Sequence, residues 1–201
     1  MEKEKPIFPK EQFLIGEPYQ RKDMDEKIGE LKITKSRSGI FSFKNTVVLL
    51  VTLEQDPSKE KNSYEDFFEY PEFVWSSQKK GAHTKPTTPV MKGMLERGAE
   101  LFVRQRKKNA NRTNPYIYCG SVDALSHGIP ERKESPFKVK FQLKENIRGK
   151  NSQLDDLINW RPSNYQETKA SYIISSLNKT KKKSKKSSST SQGYQADKEI
   201  R

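Results

Sequence analysis

Arg104, Arg106, Lys107 and Lys108 place four cations within five residues, and guanidinium and ammonium groups at that spacing suit the oxygens of a phosphate backbone. Period-two alternation puts Phe102, Arg104 and Arg106 on one strand face, with Leu101, Val103 and Gln105 on the other. Two arginines are thereby presented side by side. Lys79, Lys80, Lys85 and Arg112 extend the set. All lie in residues 73–112, where ten Lys or Arg stand against two acids, a local charge of about +8. These cations alternate with Phe73, Trp75, Met91, Met94, Leu101, Phe102 and Val103, which seek burial, so strands must hold them in fixed positions. A basic surface fixed on strands orients a polyanion. The competing account of Arg104 to Lys108 is a strand edge kept from aggregating by its charge.

A second group has the chemistry to read bases. Trp75 offers a ring that stacks on a base, including one flipped out of a duplex, and Ser77 and Gln78 offer hydrogen bonds to its edge. Gln78 also opens a basic loop that contains His83, and glutamine bonds adenine through two atoms. The alternative is a core tryptophan whose neighbour Gln78 satisfies a buried backbone group. His83 and His127 have no partner at metal-ligand spacing, so no metal or cofactor is expected. The strings around Glu30, Lys32, Glu17 and Asp23 are too common in so charged a chain to mark a nuclease. With no nucleophile–base pair to name, the chain reads as a non-enzyme with no catalytic residue.

Cys119 is the single cysteine, which excludes an internal disulfide and points to a reducing compartment. The longest apolar run, residues 47–51, is far short of a bilayer span, and the first residues lack the apolar stretch of a signal peptide. A cytoplasmic protein without membrane contact is expected. Net charge is +13 over 201 residues; the last 23 residues hold +6, which leaves +7 on the body. Length suits one domain with tails: an arm over residues 1–15, a domain over 16–178 and a disordered Lys/Ser-rich tail over 179–201.

The elements that must position these side chains follow from periodicity. Met24, Ile28 and Leu31 share a helix face, and Ile7, Phe8, Phe13 and Leu14 are docking contacts for the arm. GIFSF and TVVLLVTL read as a hairpin joined at Lys44 and Asn45, the second being the central strand of the core. The aromatic run YEDFFEYPEF reads as a cap on one end of a barrel. Residues 73–77 form a strand, 90–95 a short strand or helical turn, and 107–114 a turn. YIYCGSVDAL is a strand bulged at Gly120, and FKVKFQL alternates cleanly. Ser152 caps a helix carrying Leu154, Leu157 and Ile158, with a second helix around residues 166–177. The fold class is mainly β, of the α+β kind: a curved sheet or partly open barrel of about six strands with flanking helices.

The order GEPYQRKDM, YEDFF, FVWSSQ, ELFVRQRKK, YIYCGSV and FKVKFQL resembles an uncharacterised domain, catalogued as a domain of unknown function, at the C-terminal end of bacterial restriction-type proteins. There it follows a phospholipase-D-like nuclease and a superfamily-two helicase. The resemblance covers residues 16–143 and is sharpest at Trp75, Ser77 and Gln78 and at Leu101 to Arg104. It implies the DNA-reading part of such a system, a barrel of either the B3-like or the SRA/PUA-like kind. No Walker A loop occurs in these residues, so the resemblance implies reading rather than cutting, with a separately encoded nuclease or helicase as effector. Three functional expectations stand together: a double-stranded DNA-binding module, a reader of modified DNA that flips a base, and an interaction or inhibitor protein whose basic face docks an acidic partner.

Overall fold

The structure, a computed structural model, describes residues 4–29, 32–54, 66–78, 85–109, 112–128, 136–162 and 175–176. In chain order the elements are β1 (Pro18–Tyr19), α1 (Arg21–Ile28), β2 (Ile40–Ser42), β3 (Val47–Glu54), β4 (Phe67–Glu69) and β5 (Glu72–Ser76). They continue as α2 (Pro89–Arg97), β6 (Ala99–Arg106), β7 (Lys108–Asn109), β8 (Arg112–Thr113), β9 (Tyr116–His127), β10 (Lys138–Leu143), α3 (Ser152–Asn159) and β11 (Ser175–Ser176). Nine strands form one mixed sheet along the path β2-β3-β6-β9-β10-β5-β4, with β1 and β11 also paired to β9. β3 and β6 run parallel and the remaining pairs are antiparallel.

The fold is mainly β and of the α+β kind, and its sheet does not close: among the described residues β2 and β4 end the path without pairing to each other. Closure is unnecessary for burial here, because a core fills each face. On one face Val47, Leu49, Val51, Leu101, Val103, Trp75, Val139 and Phe141 pack with Met91, Met94 and Leu95 of α2 and with Leu154, Leu157 and Ile158 of α3. On the other, Val48, Leu50, Phe102, Tyr116 and Tyr118 pack under the N-terminal arm through Phe8 and Phe13 and under Met24 and Ile28 of α1. This two-sided burial explains why β3 is apolar without alternation. β3 is an interior strand, but the middle of the sheet belongs to β9. Within the arm Phe8 and Phe13 are buried as expected, whereas Ile7 and Leu14 are exposed.

The aromatic run is not a cap. Its described part is the β4–β5 hairpin at the sheet's end, turning at Tyr70 and Pro71 and packing Phe68 against Phe73 with tilted rings whose centroids are 4.7 Å apart. Residues 90–95 belong to α2, which Pro89 starts with its preset φ and Gly98 ends. Gly98 has φ 80° and ψ −167°, and a Cβ there would lie 2.2 Å from the Val122 carbonyl oxygen, so only glycine carries the chain from α2 into β6. Gly120, at φ 90°, sits where the β6–β9 register shifts, the expected bulge.

α3 is capped one residue earlier than expected. Asn151, not Ser152, accepts the Leu154 amide at 2.9 Å, and its own amide donates to the Gly16 carbonyl at 3.0 Å. The cap thus also ties α3 to the segment entering β1. Asn151→Ala should lower unfolding free energy by about 1–2 kcal/mol in urea titration, whereas Ser152→Ala should cost little. The second helix is corrected in part: residues 175–176 pair with β9 as a strand, and the rest of that stretch lies outside the described residues, as does the 179–201 tail. Among the described residues no helix is long and apolar enough to cross a membrane.

Candidate nucleic-acid interface

β3 and β5 are well separated along the sheet's path, yet Leu50, Val51 and Thr52 line the same cleft as Trp75, Ser76 and Gln78. The sheet must therefore curl, and the cleft opens where its two halves approach. It encloses about 620 Å³. Arg104 from β6, Lys107 between β6 and β7, Thr113 from β8, Tyr116 from β9, Gln20 and Arg21 at the start of α1, and Arg37 before β2 complete the wall, with Asp66 beside β5. Four sequence-predicted residues, Trp75, Gln78, Arg104 and Lys107, are brought together here.

Arg104 keeps the expected alternation, since Phe102 shares its face and Leu101 and Val103 enter the opposite core. It is not an exposed grip, however. Only 8% of it is accessible. Its Nε donates to Thr52 Oγ1 at 3.0 Å, one terminal nitrogen donates to the Asn114 carbonyl at 3.2 Å, and the guanidinium lies 4.1 Å over the Tyr116 ring. Burial lowers its pKa from the ordinary value; Tyr116 raises it in part, and the charge of Arg21 lowers it further. Among the described residues no carboxylate pairs with it.

Arg106 has a different fate. The parallel register sets it opposite Glu54, and the two form an exposed ion pair. It does not line the cleft, and its charge is partly satisfied. Arg21 spends its donors on the backbone carbonyls of Ile33, Ser36 and Ser38, so it shapes the wall more than it offers hydrogen bonds. Arg37 and Lys107 are exposed, and their side chains make no ion pair among the described residues.

The other wall carries polar and aromatic groups. Trp75 is both core and wall: it is 5% exposed, packs edge-on against Phe137 with ring centroids 6.4 Å apart, and reaches the cleft. Gln78 is half-buried at the same wall. Ser77 is turned elsewhere. It is fully buried, and its hydroxyl accepts the Phe137 amide at 3.0 Å while its own amide donates to the Phe137 carbonyl, latching β5 to the start of β10. Its neighbour Ser76 lines the cleft instead, donating its amide to Asp66 Oδ1 at 2.7 Å. Asp66 is the sole carboxylate on the cleft among the described residues.

The stretch read as a turn contains the two-stranded β7–β8 ribbon, Lys108 opposite Thr113 and Asn109 opposite Arg112. Its base borders the cleft through Lys107 and Thr113, and Arg112 is exposed on it. Lys85 is exposed before α2 and does not line the cleft. Lys79, Lys80 and His83 lie outside the described residues. Arg21, Arg37, Asp66 and Ser76 were not legible as site residues, because each belongs to a segment whose local pattern carries no chemistry of its own; the curl of the sheet assembles them.

A family model described as a domain of unknown function (DUF3427) matches residues 13–153 of the chain. No curated protein matches it.

Proposed function

The chain belongs to the DUF3427 family, a domain of unknown function, and on that premise we propose that it is a non-catalytic double-stranded DNA-binding module of a restriction or defence system. The observation that carries the reading is Arg104, a buried guanidinium with no carboxylate partner among the described residues, on a cleft that Arg21, Arg37 and Lys107 also line. Burying a cation without a counter-charge is costly, and a phosphate supplies that charge from the ligand. The ribbon beside the cleft supports nucleic acid over a small anion, since a two-stranded ribbon fits a major groove. The restriction or defence setting, with a nuclease or helicase as partner, rests on the resemblance alone.

One observation favours a reader of modified DNA within the same class. The cleft has the volume of a small-molecule pocket and Trp75 is among its lining residues, which supports a site for an extrahelical base. The test is titration of the full chain with matched duplexes, unmodified or carrying methylated or hydroxymethylated cytosine or methylated adenine, across a salt series. The logarithm of affinity should fall linearly with the logarithm of salt, with a slope of about −3 or steeper for three or more phosphates neutralised. Preference for one modified duplex should shrink in Trp75→Phe, which keeps an apolar ring in the core. Absent or salt-insensitive binding would sink the reading and favour an interaction protein that docks an acidic partner.

A further inference from the structure

We propose that the cleft receives the end of a DNA strand, whose terminal phosphomonoester is bonded by Arg104 and neutralised jointly by Arg104 and Arg21. The inference rests on the phosphate-binding reading and deepens it by naming which phosphate the site takes. Arg104 is held in place but incompletely used. Nε bonds Thr52 and one terminal nitrogen bonds the Asn114 carbonyl, while the other terminal nitrogen makes no hydrogen bond among the described residues. His127 Nδ1 is the one buried side-chain nitrogen or oxygen without a partner among those residues, so this free nitrogen of Arg104 is open to solvent. Arg104 is otherwise buried and lines the cleft, so a ligand there meets an unused N–H edge of fixed orientation.

Arg21 adds charge without adding donors. Its guanidinium donates to the carbonyls of Ile33, Ser36 and Ser38 and lies 5.9 Å from the Phe41 ring centroid, and among the described residues no carboxylate pairs with it. It is near enough for its charge to lower the Arg104 pKa, so two cations without counter-charges repel each other at one cleft. An internal phosphodiester brings a single negative charge and offsets one of them. A terminal monoester brings about −1.5 to −2 at neutral pH, on three acceptor oxygens. It offsets both: its oxygens accept from Arg104, and its second charge acts on Arg21 through space. Arg37 and Lys107, exposed on the same cleft, remain for the diester phosphates that follow the end. Trp75 and Gln78 also line it, an aromatic ring and an amide whose chemistry suits the terminal base.

The experiment titrates the full chain with four forms of one DNA sequence: a hairpin duplex whose open end carries a 5′-phosphate, a 3′-phosphate or hydroxyls only, and a dumbbell closed at both ends. A phosphorylated end should bind about tenfold or more tightly than the hydroxyl end and the dumbbell, and which of the two does so identifies the strand polarity. Arg104→Met should reduce that preference to less than about threefold, whereas Arg106→Met, at a position off the cleft, should keep it. Should Arg104→Met fail to fold, Arg104→Lys, which keeps the charge and loses the planar fork, should give the same change with a smaller loss. A preference that survives in the folded Arg104 variant overturns the assignment to this cleft. Salt-sensitive binding that is equal for phosphorylated and hydroxyl ends overturns the inference while leaving DNA binding intact. No binding to any form overturns both.

Discussion

Arg104→Met should weaken duplex binding by roughly tenfold to a hundredfold while leaving the folded state as stable as before, or more so. Methionine keeps the apolar stem and removes the charge. What the free protein loses is modest: two hydrogen bonds, to Thr52 and to the Asn114 carbonyl, and the stack on Tyr116. What it gains is relief from burying a cation that no carboxylate pairs among the described residues, and replacing buried ion pairs by apolar groups of similar volume is itself often neutral or stabilising by about 1–4 kcal/mol. In the complex the balance reverses. A charge-assisted hydrogen bond to phosphate contributes about 1.5–3 kcal/mol, which converts to the loss of affinity stated above. The salt dependence should become shallower by about one unit of slope, since one fewer phosphate is neutralised. Calorimetric melting and fluorescence titration separate the two effects. A variant that melts several degrees lower and binds DNA as before would make Arg104 a structural cation and remove the main support for a phosphate-binding wall. Arg106→Met is the comparison: its ion pair with Glu54 is exposed, so both stability and affinity should move little.

That contrast between two arginines two residues apart marks how far the sequence could be read. Alternation placed Phe102, Arg104 and Arg106 on one face, and the structure keeps them there. Alternation says nothing about how deep each position lies. Phe102 is in the core, Arg104 at its margin and Arg106 beyond the last covering element, and that gradient depends on where the arm and β9 end. Trp75 illustrates the same limit. Its sequence context suits either core or cleft, but a ring at the margin of a curled sheet takes both places. Strands with a clean period, such as Lys138–Leu143, were legible because burial on one face dictates their pattern. The β4–β5 hairpin and α2 were less so, because aromatic density and two methionines suit several local conformations, and tertiary packing chose among them. Asp66 and Arg37 were invisible, since no local pattern distinguishes a polar residue facing a cleft from one facing solvent.

The second large effect falls on the core that holds Arg104 in place. Phe102→Ala should lower the unfolding free energy by about 3–5 kcal/mol, a large share of the 5–15 kcal/mol typical of a domain. Phe102 is completely buried, and its ring meets Tyr118 at 4.6 Å, Phe13 at 5.3 Å, Tyr19 at 6.2 Å and Phe8 at 6.3 Å. These contacts join β6 and β9 to β1 and to the N-terminal arm, so the cavity left by alanine loosens three segments at once. Relaxation is limited on the sheet side, where β6 is paired to β3 and β9. The arm has more freedom to collapse inward, which places the expected cost within the range rather than above it. Phe102→Leu, which retains most of the volume, should cost less than about 1.5 kcal/mol. Urea titration checks both, with the midpoint falling and the slope unchanged for a two-state loss of stability. Because Arg104 and Tyr116 border the same cluster, the alanine variant should also bind duplex more weakly even where it is fully folded, and the leucine variant should bind almost normally. A loss below about 1 kcal/mol for alanine would mean that the arm does not pack on this face in solution. The buried setting of Arg104, and the argument for a phosphate built on it, would then fall together.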